Sequence, residues 1–186
     1  MRLITLLNVS YKIMAKLLAK RIARMLDNIV SVSQIGFVKG RYILENLMTS
    51  WEAMKWGKDN NQNVCMVLLD FEKAYDRIEW DFVIKVLERF GFPPSFYRWI
   101  EILFNDSNTV IQLNGDLSKP IFLERSIRQG CPLAPSLFVL VIDALSYIMY
   151  SKDLGPPVKG IILPTKNNIL LEQFANDTTM FLEFFE

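Results

Sequence analysis

Val64-Cys65-Met66-Val67-Leu68-Leu69-Asp70 is an unbroken apolar run that ends in an acid. Such a run predicts a strand buried on both faces. Before it, apolar spacing predicts a helix over Ile43 to Trp56, and polar Gly57 to Asn63 predicts a turn. After it, a helix is expected from about Asp81 to Phe90, stopped by Gly91, and a second from Ser95 to Phe104 behind Pro93 and Pro94. Thr109 to Leu113 and Leu117 to Leu123 flank Asn114-Gly115, a strong hairpin signal. Pro135 opens a helix to about Tyr150, and Leu154 to Gly160 is a loop. Two strands, about Leu170 to Phe174 and Thr178 to Phe184, join around Asn176-Asp177. At the front, Ser10 is placed to cap a helix over Tyr11 to Val30. In that helix Ile13, Leu17, Leu18, Ile22, Met25, Leu26 and Ile29 form the packing side. The order predicts an α+β fold with a small, mostly antiparallel sheet covered by helices on one side.

The chain has 186 residues, 51% hydrophobic and 22% charged. That is the composition of one globular domain. Asp143 interrupts the most apolar helix, so no membrane span is expected. The two cysteines, Cys65 and Cys131, sit in apolar segments and read as buried free thiols of a reducing, intracellular compartment, nucleus or cytoplasm. There is no histidine. This excludes Ser-His-Asp and Cys-His nucleophilic sites and zinc sites with a histidine ligand. Chemistry is left to carboxylates, lysines, hydroxyls or an oxygen-bound metal.

Charge is uneven. Residues 1–41 carry eight Lys/Arg and one acid, Asp27, whereas the whole chain has a net charge of only +1. Lys12, Lys16, Lys20 and Arg24 recur in steps of four along one helix face. They are either a solvated surface or a row of cations for a phosphate backbone.

Two acids stand out. Asp70 ends the apolar strand, and Asp177 lies at the expected hairpin turn after Phe174-Ala175. A carboxylate beside a core needs a partner or a metal. Strand-end aspartates are most often turn formers. If the two elements are adjacent, however, the acids converge at one edge, as oxygen ligands of a Mg²⁺ site do.

LDFEKAYDRIEWDF (Leu69 to Phe82) resembles the first catalytic motif of LINE-type, or non-LTR, retrotransposon reverse transcriptases. SIRQGCPLAPSLFVL (Ser126 to Leu140) resembles the substrate-binding motif that follows it. QFANDTTMF (Gln173 to Phe181) resembles the second catalytic motif. RLITLLNVSYKIMAKLLAKRI (Arg2 to Ile22) and QIGFVKGRYILEN (Gln34 to Asn46) are similar to the two fingers motifs. The blocks stand in family order over nearly the whole chain, in wording closest to plant-type copies.

The resemblance implies a right-hand polymerase, fingers-like over about 1–63 and palm-like with a fingers insertion over about 64–186. It also implies an RNA template, a DNA primer, deoxynucleoside triphosphates, and Mg²⁺ or Mn²⁺. Asp70, Asp177 and the Phe71 carbonyl would face the metal. Tyr75 would be the steric gate under the sugar. Gln129 and Gly130 would lie beside the incoming nucleotide. Arg2 and Arg41 would be candidates for triphosphate and template contacts, with a plain surface role as the alternative.

The sequence also departs from the pattern. Asn176 stands where the family has the first aspartate of a pair, the residue expected to bind metal with Asp70. Leu3 and Ala134 replace the usual Pro and Ser. The family pattern continues into more palm and a thumb, so a truncated copy with a partial palm and thumb absent is the expectation. Loss of catalysis is therefore expected, with a residual nucleic-acid-binding module as the alternative.

Overall fold

The computed structural model describes residues 6–105, 107–151, 158–164 and 168–183. In chain order its elements are α1 (Val9–Ala23), α2 (Leu26–Ile29), α3 (Ile43–Asp59), β1 (Val64–Asp70), α4 (Ala74–Arg77), α5 (Trp80–Arg89), α6 (Pro94–Phe104), β2 (Asn108–Thr109), β3 (Gln112–Leu113), β4 (Asp116–Leu117), β5 (Ile121–Phe122), α7 (Ala134–Tyr150), β6 (Ile161–Ile162), β7 (Asn168–Ile169), β8 (Leu171–Phe174) and β9 (Asp177–Glu183). The chain divides into two compact units, one of Met1–Arg21 with Lys73–Leu137, the other of Ile22–Glu72 with Phe138–Glu186.

The second unit is built on a three-stranded antiparallel sheet of order β1-β9-β8. Alternation puts Met66 and Phe181 on one face. There they pack with Ala53 of α3 and with Ile161, Leu163 and Ile169. Gly57 lets α3 approach the start of β1, since a β-carbon there would lie 2.6 Å from Val64 Cγ2. The opposite face carries Gln173, whose side-chain oxygen accepts from Ser146 of α7 at 2.8 Å. The sheet is thus covered on both faces, not one, because Leu171 and Gln173 are buried as fully as Phe181.

β1 has the predicted bounds but not the predicted burial. Among the described residues it is an edge strand paired with β9, and Leu68 is 71% exposed. An apolar run signals a strand, but it does not say which of its edges and faces will be covered.

The first unit holds α4 to α6, most of α1, and a hairpin. Val83, Val86 and Leu87 of α5 pack with Phe96, Ile100 and Phe104 of α6 in its buried core. Trp80 stacks on Phe104 with ring centroids 5.2 Å apart. Gly91 closes α5 at a φ of +78°, and Pro94 opens α6 at a position where its missing N–H has no partner to lose. Asn114 and Gly115 both take positive φ at the hairpin tip, where β3 and β4 pair.

Other expectations at the front change. α1 begins at Val9, and Asn8, not Ser10, supplies the cap: its Oδ1 accepts the Ser10 N–H at 3.1 Å. The helix stops at Ala23, and a turn separates it from the short α2. Ile13 and Leu17 are exposed, whereas Ala15, Leu18 and Ile22 are buried, so the packing face is rotated from the expected one. Cys131 is buried but Cys65 only half-buried, and both are free. No helix among the described residues is long and apolar enough to cross a membrane. The loop expected over Leu154 to Gly160 lies mostly outside the described residues.

Candidate functional site

Asp70 is the last residue of β1 and Asp177 the first of β9, and antiparallel register makes them direct partners. Both are exposed at the end of the sheet. Asp177 therefore belongs to the strand and not to the turn. The turn is Ala175-Asn176, with Ala175 at a φ of +55°.

Like charges directly opposite one another destabilise a sheet. Asn176 relieves this pair. Its Nδ2 lies 2.9 Å from Asp70 Oδ1 and 3.2 Å from Asp177 Oδ1. Both neighbours are acceptors, so the amide nitrogen faces them. A divalent cation would draw the amide oxygen, not the nitrogen, to that position, and that oxygen carries no full charge. Among the described residues no group of three or more His, Cys, Asp or Glu side chains could hold a metal ion. Two carboxylates and one neutral amide stand here, so the set is one full negative charge short of the one that the resemblance implies for a pair of divalent ions. Phe71, whose carbonyl was expected to assist, follows Asp70 and is half-buried.

In the first unit the segment that leads to Gln129 and Gly130 pairs its backbone with that around Tyr75. The Tyr75 carbonyl accepts the Ile127 N–H at 2.8 Å, and Ile78 accepts that of Ser126 at 2.9 Å. Gln129 and Gly130 follow directly in the chain, with Gly130 at a φ of +93° that suits glycine. Tyr11, on α1, was not singled out from sequence. Arg128 stands over its ring at 5.5 Å, and the Cys131 thiol donates to its hydroxyl at 3.9 Å. Burial, then Cys131, raises the Tyr11 pKa, and Arg128 opposes the rise. Through Arg128 and Cys131, Tyr11 ties α1 to the segment that carries Gln129.

Arg41 is committed to its own unit. Its Nη1 donates to the carbonyls of Ser31 at 2.5 Å and Gln34 at 2.6 Å. Its Nη2 and Nε meet Asp27, the side-chain distances being 3.1 and 3.3 Å. With 13% of the side chain exposed, the guanidinium is a clamp on the segment after α2, and every one of its nitrogens is engaged. These internal contacts occupy the side chain for which the sequence suggests a triphosphate or template contact. Arg2 lies outside the described residues. Lys12, Lys16 and Lys20 are exposed on α1, and Arg24 is exposed in the turn after it.

The segment clamped by Arg41 carries another residue that sequence reading passed over. Gln34 is fully buried, and its backbone bridges to Gln173 of β8. A polar residue in a glycine-bearing loop gives no sequence signal of such burial.

The Reverse transcriptase (RNA-dependent DNA polymerase) family model matches residues 1–184. The chain is 26% identical over 180 residues to the transposon TX1 uncharacterized 149 kDa protein of Xenopus laevis, covering 96% of this chain and 13% of that protein. It is 27% identical over 177 residues to a retrovirus-related Pol polyprotein from a type-1 retrotransposable element R2 of Popillia japonica, covering 95% and 24% respectively. The chain thus spans a quarter or less of these relatives. A telomerase of Candida albicans, solved with a fragment of telomeric RNA, shares the fold with a TM-score of 0.58 at 10% identity, over 94% of this chain and 30% of the telomerase.

Proposed function

The chain belongs to the reverse transcriptase (RNA-dependent DNA polymerase) family, in the branch of non-LTR retrotransposon proteins, and from that premise we propose that it is a catalytically impaired copy of the domain. The observation that carries the proposal is the Asn176 amide donating to both Asp70 and Asp177.

The family chemistry joins a primer 3′-hydroxyl to a deoxynucleoside triphosphate on an RNA template. When bound, Mg²⁺ or Mn²⁺ would supply positive charge beside the attacking hydroxyl and the leaving pyrophosphate. Asp70, Asp177 and the Phe71 carbonyl are the oxygens left to hold such an ion. Replacing a carboxylate by an amide removes one charge contact, which at an effective dielectric of ~20 and about 4 Å is worth roughly 4 kcal/mol. Even after desolvation takes its share, a loss on that order slows turnover by about a thousandfold.

Tyr75, Gln129 and Gly130 form the nucleotide-facing part of this proposal. In it, residues up to about 63 are fingers-like and the remainder palm-like with a fingers insertion. The joining of Tyr75 to Ile127 supports the nucleotide assignment, because it ties the proposed gate to the loop beside the incoming base.

The test is extension of a primed RNA template by the purified chain with Mg²⁺ or Mn²⁺, beside Asn176→Asp. No extension is expected from the unaltered chain, and processive synthesis by it would overturn the proposal. A second function, nucleic-acid binding without catalysis, is favoured by the exposed Lys12, Lys16 and Lys20 on α1, with Arg24 as a further exposed cation.

A further inference from the structure

We propose that Gln34 is a positioning residue for the acidic site: its side-chain oxygen holds the Ala175-Asn176 turn in the conformation that aims the Asn176 amide at Asp70 and Asp177. The inference rests on Asp70, Asn176 and Asp177 being the degenerate catalytic set proposed above.

The turn does not hold its own shape. A two-residue hairpin turn with positive φ favours Gly, Asn or Asp at that position. Here Ala175 takes it, at a φ of +55°. For an L-residue with a β-carbon this conformation costs about 1–2 kcal/mol. Restoring Ala175 to ordinary backbone angles would swing Asn176, the next residue, away from the two acids. Something outside the turn must therefore oppose the relaxation.

The Ser31–Gly36 segment lies against it. Gln173 donates its N–H to the Ser33 carbonyl at 2.8 Å and accepts from Ile35 at 2.9 Å. This runs the segment parallel to the end of β8. Gly36 permits the approach, because a β-carbon there would overlap the backbone nitrogen of Ala175. Gln34 Oε1 then accepts two N–H groups, that of Gly36 at 2.9 Å and that of Ala175 at 3.3 Å.

The other end of the same amide argues that Gln34 is more than filling. Gln34 Nε2 is buried and finds no partner among the described residues. A buried donor left bare costs about 1–3 kcal/mol. A methionine would fill similar space without that cost, but it would leave the Ala175 N–H unpaired. What the Ala175 N–H requires is the side-chain oxygen.

The test is nuclear magnetic resonance of the isotope-labelled chain. Gln34→Met is compared with the unaltered protein for hydrogen exchange at the Ala175 N–H and for order of the Asn176 side-chain NH₂. The Phe181 N–H, which donates to Leu170 at 2.9 Å, reports whether the sheet is intact. The expected result is a fall in Ala175 protection of about tenfold, the scale of one lost hydrogen bond, with a disordered Asn176 NH₂ and an unchanged Phe181. Unchanged Ala175 and Asn176 signals would overturn the inference.

Should Gln34→Met also lose protection at Phe181, Gln34→Glu decides, since it keeps an acceptor oxygen at the same reach. Protection regained at Phe181 together with Ala175 and Asn176 order supports positioning; regained at Phe181 alone, it overturns it. Asp70→Ala separates the underlying site proposal. If the Asn176 NH₂ stays equally ordered when Asp177→Ala is added to Asp70→Ala, the amide is not held by the acids, and the site proposal fails whatever Gln34 does.

Discussion

Asp70 and Asp177 face each other across the last rung of the β1–β9 ladder, with the Asn176 amide donating to both. Two like charges at one rung repel, and the amide is their shared donor. Asn176→Ala should therefore lower the thermal midpoint. Because the site is exposed the loss should be small, a few degrees at most, on the order of 1 kcal/mol. It should also shrink in high salt, where exposed charges are screened. Thermal melts of both proteins at low and high ionic strength check this, and a salt-independent loss would count against repulsion as its cause.

Arg41 makes a different prediction from the one its sequence context suggests. Its guanidinium bonds the carbonyls of Ser31 and Gln34 from a largely buried position. The contact with Asp27 adds little, since that carboxylate is mostly exposed. Arg41→Ala should cost about 2 kcal/mol, a fall of roughly 4–8 °C. Arg41→Lys should recover little, because an ammonium does not reproduce the planar fork. A pure phosphate contact would instead leave the melt unchanged and weaken nucleotide or nucleic-acid binding.

Asp143 couples the same segment to pH. Burial raises its pKa, and the hydrogen bonds from the Ser31 hydroxyl and N–H, then Arg41, pull the other way. A carboxyl with a raised folded pKa holds its proton longer in the folded chain than in the unfolded one. Its contribution to stability is therefore fullest at low pH and falls as pH rises from the ordinary 3.8 toward the raised folded value. Asp143→Asn keeps an acceptor for Ser31 and does not titrate. The difference in melting midpoint, variant minus unaltered, should move in the variant's favour as pH rises through that window. A difference independent of pH would contradict the shift.

Nucleic-acid binding, if the basic row carries it, must depend on salt. Each phosphate neutralised on a single strand contributes about 0.7 to the slope of log affinity against log salt. Neutralising Lys12, Lys16, Lys20 and Arg24 together should thus flatten the slope by up to about 3. Fluorescence anisotropy with labelled RNA over a salt series measures it. An unchanged slope would remove the row from any interface.

Much of this was legible in the sequence where one local cause decides the outcome. The apolar run marked β1 to the residue, Asn114-Gly115 marked the hairpin, and Gly91 with Pro94 marked the joint between α5 and α6. The pairing of β1 with the last strand could be expected from motif order, and the structure does bring Asp70, Asn176 and Asp177 together. What stayed hidden depends on neighbours distant in the chain. The edge position of β1, the rotated face of α1, and the strained Ala175 held by Gln34 are tertiary outcomes that override local preference. Asp177 read as a turn residue for the same reason: an alanine at positive φ is the last position that propensity would choose.

The most direct measurement is a Mn²⁺ titration of the unaltered chain and Asn176→Asp, followed by electron paramagnetic resonance. An added carboxylate in place of the N–H donor should tighten binding by at least about tenfold, a modest share of the roughly 4 kcal/mol charge contact. That gain should vanish when Asp70→Ala is added. Equal affinity for both proteins, or tight Mn²⁺ binding by the unaltered chain, would contradict the proposal that Asn176 disables the site.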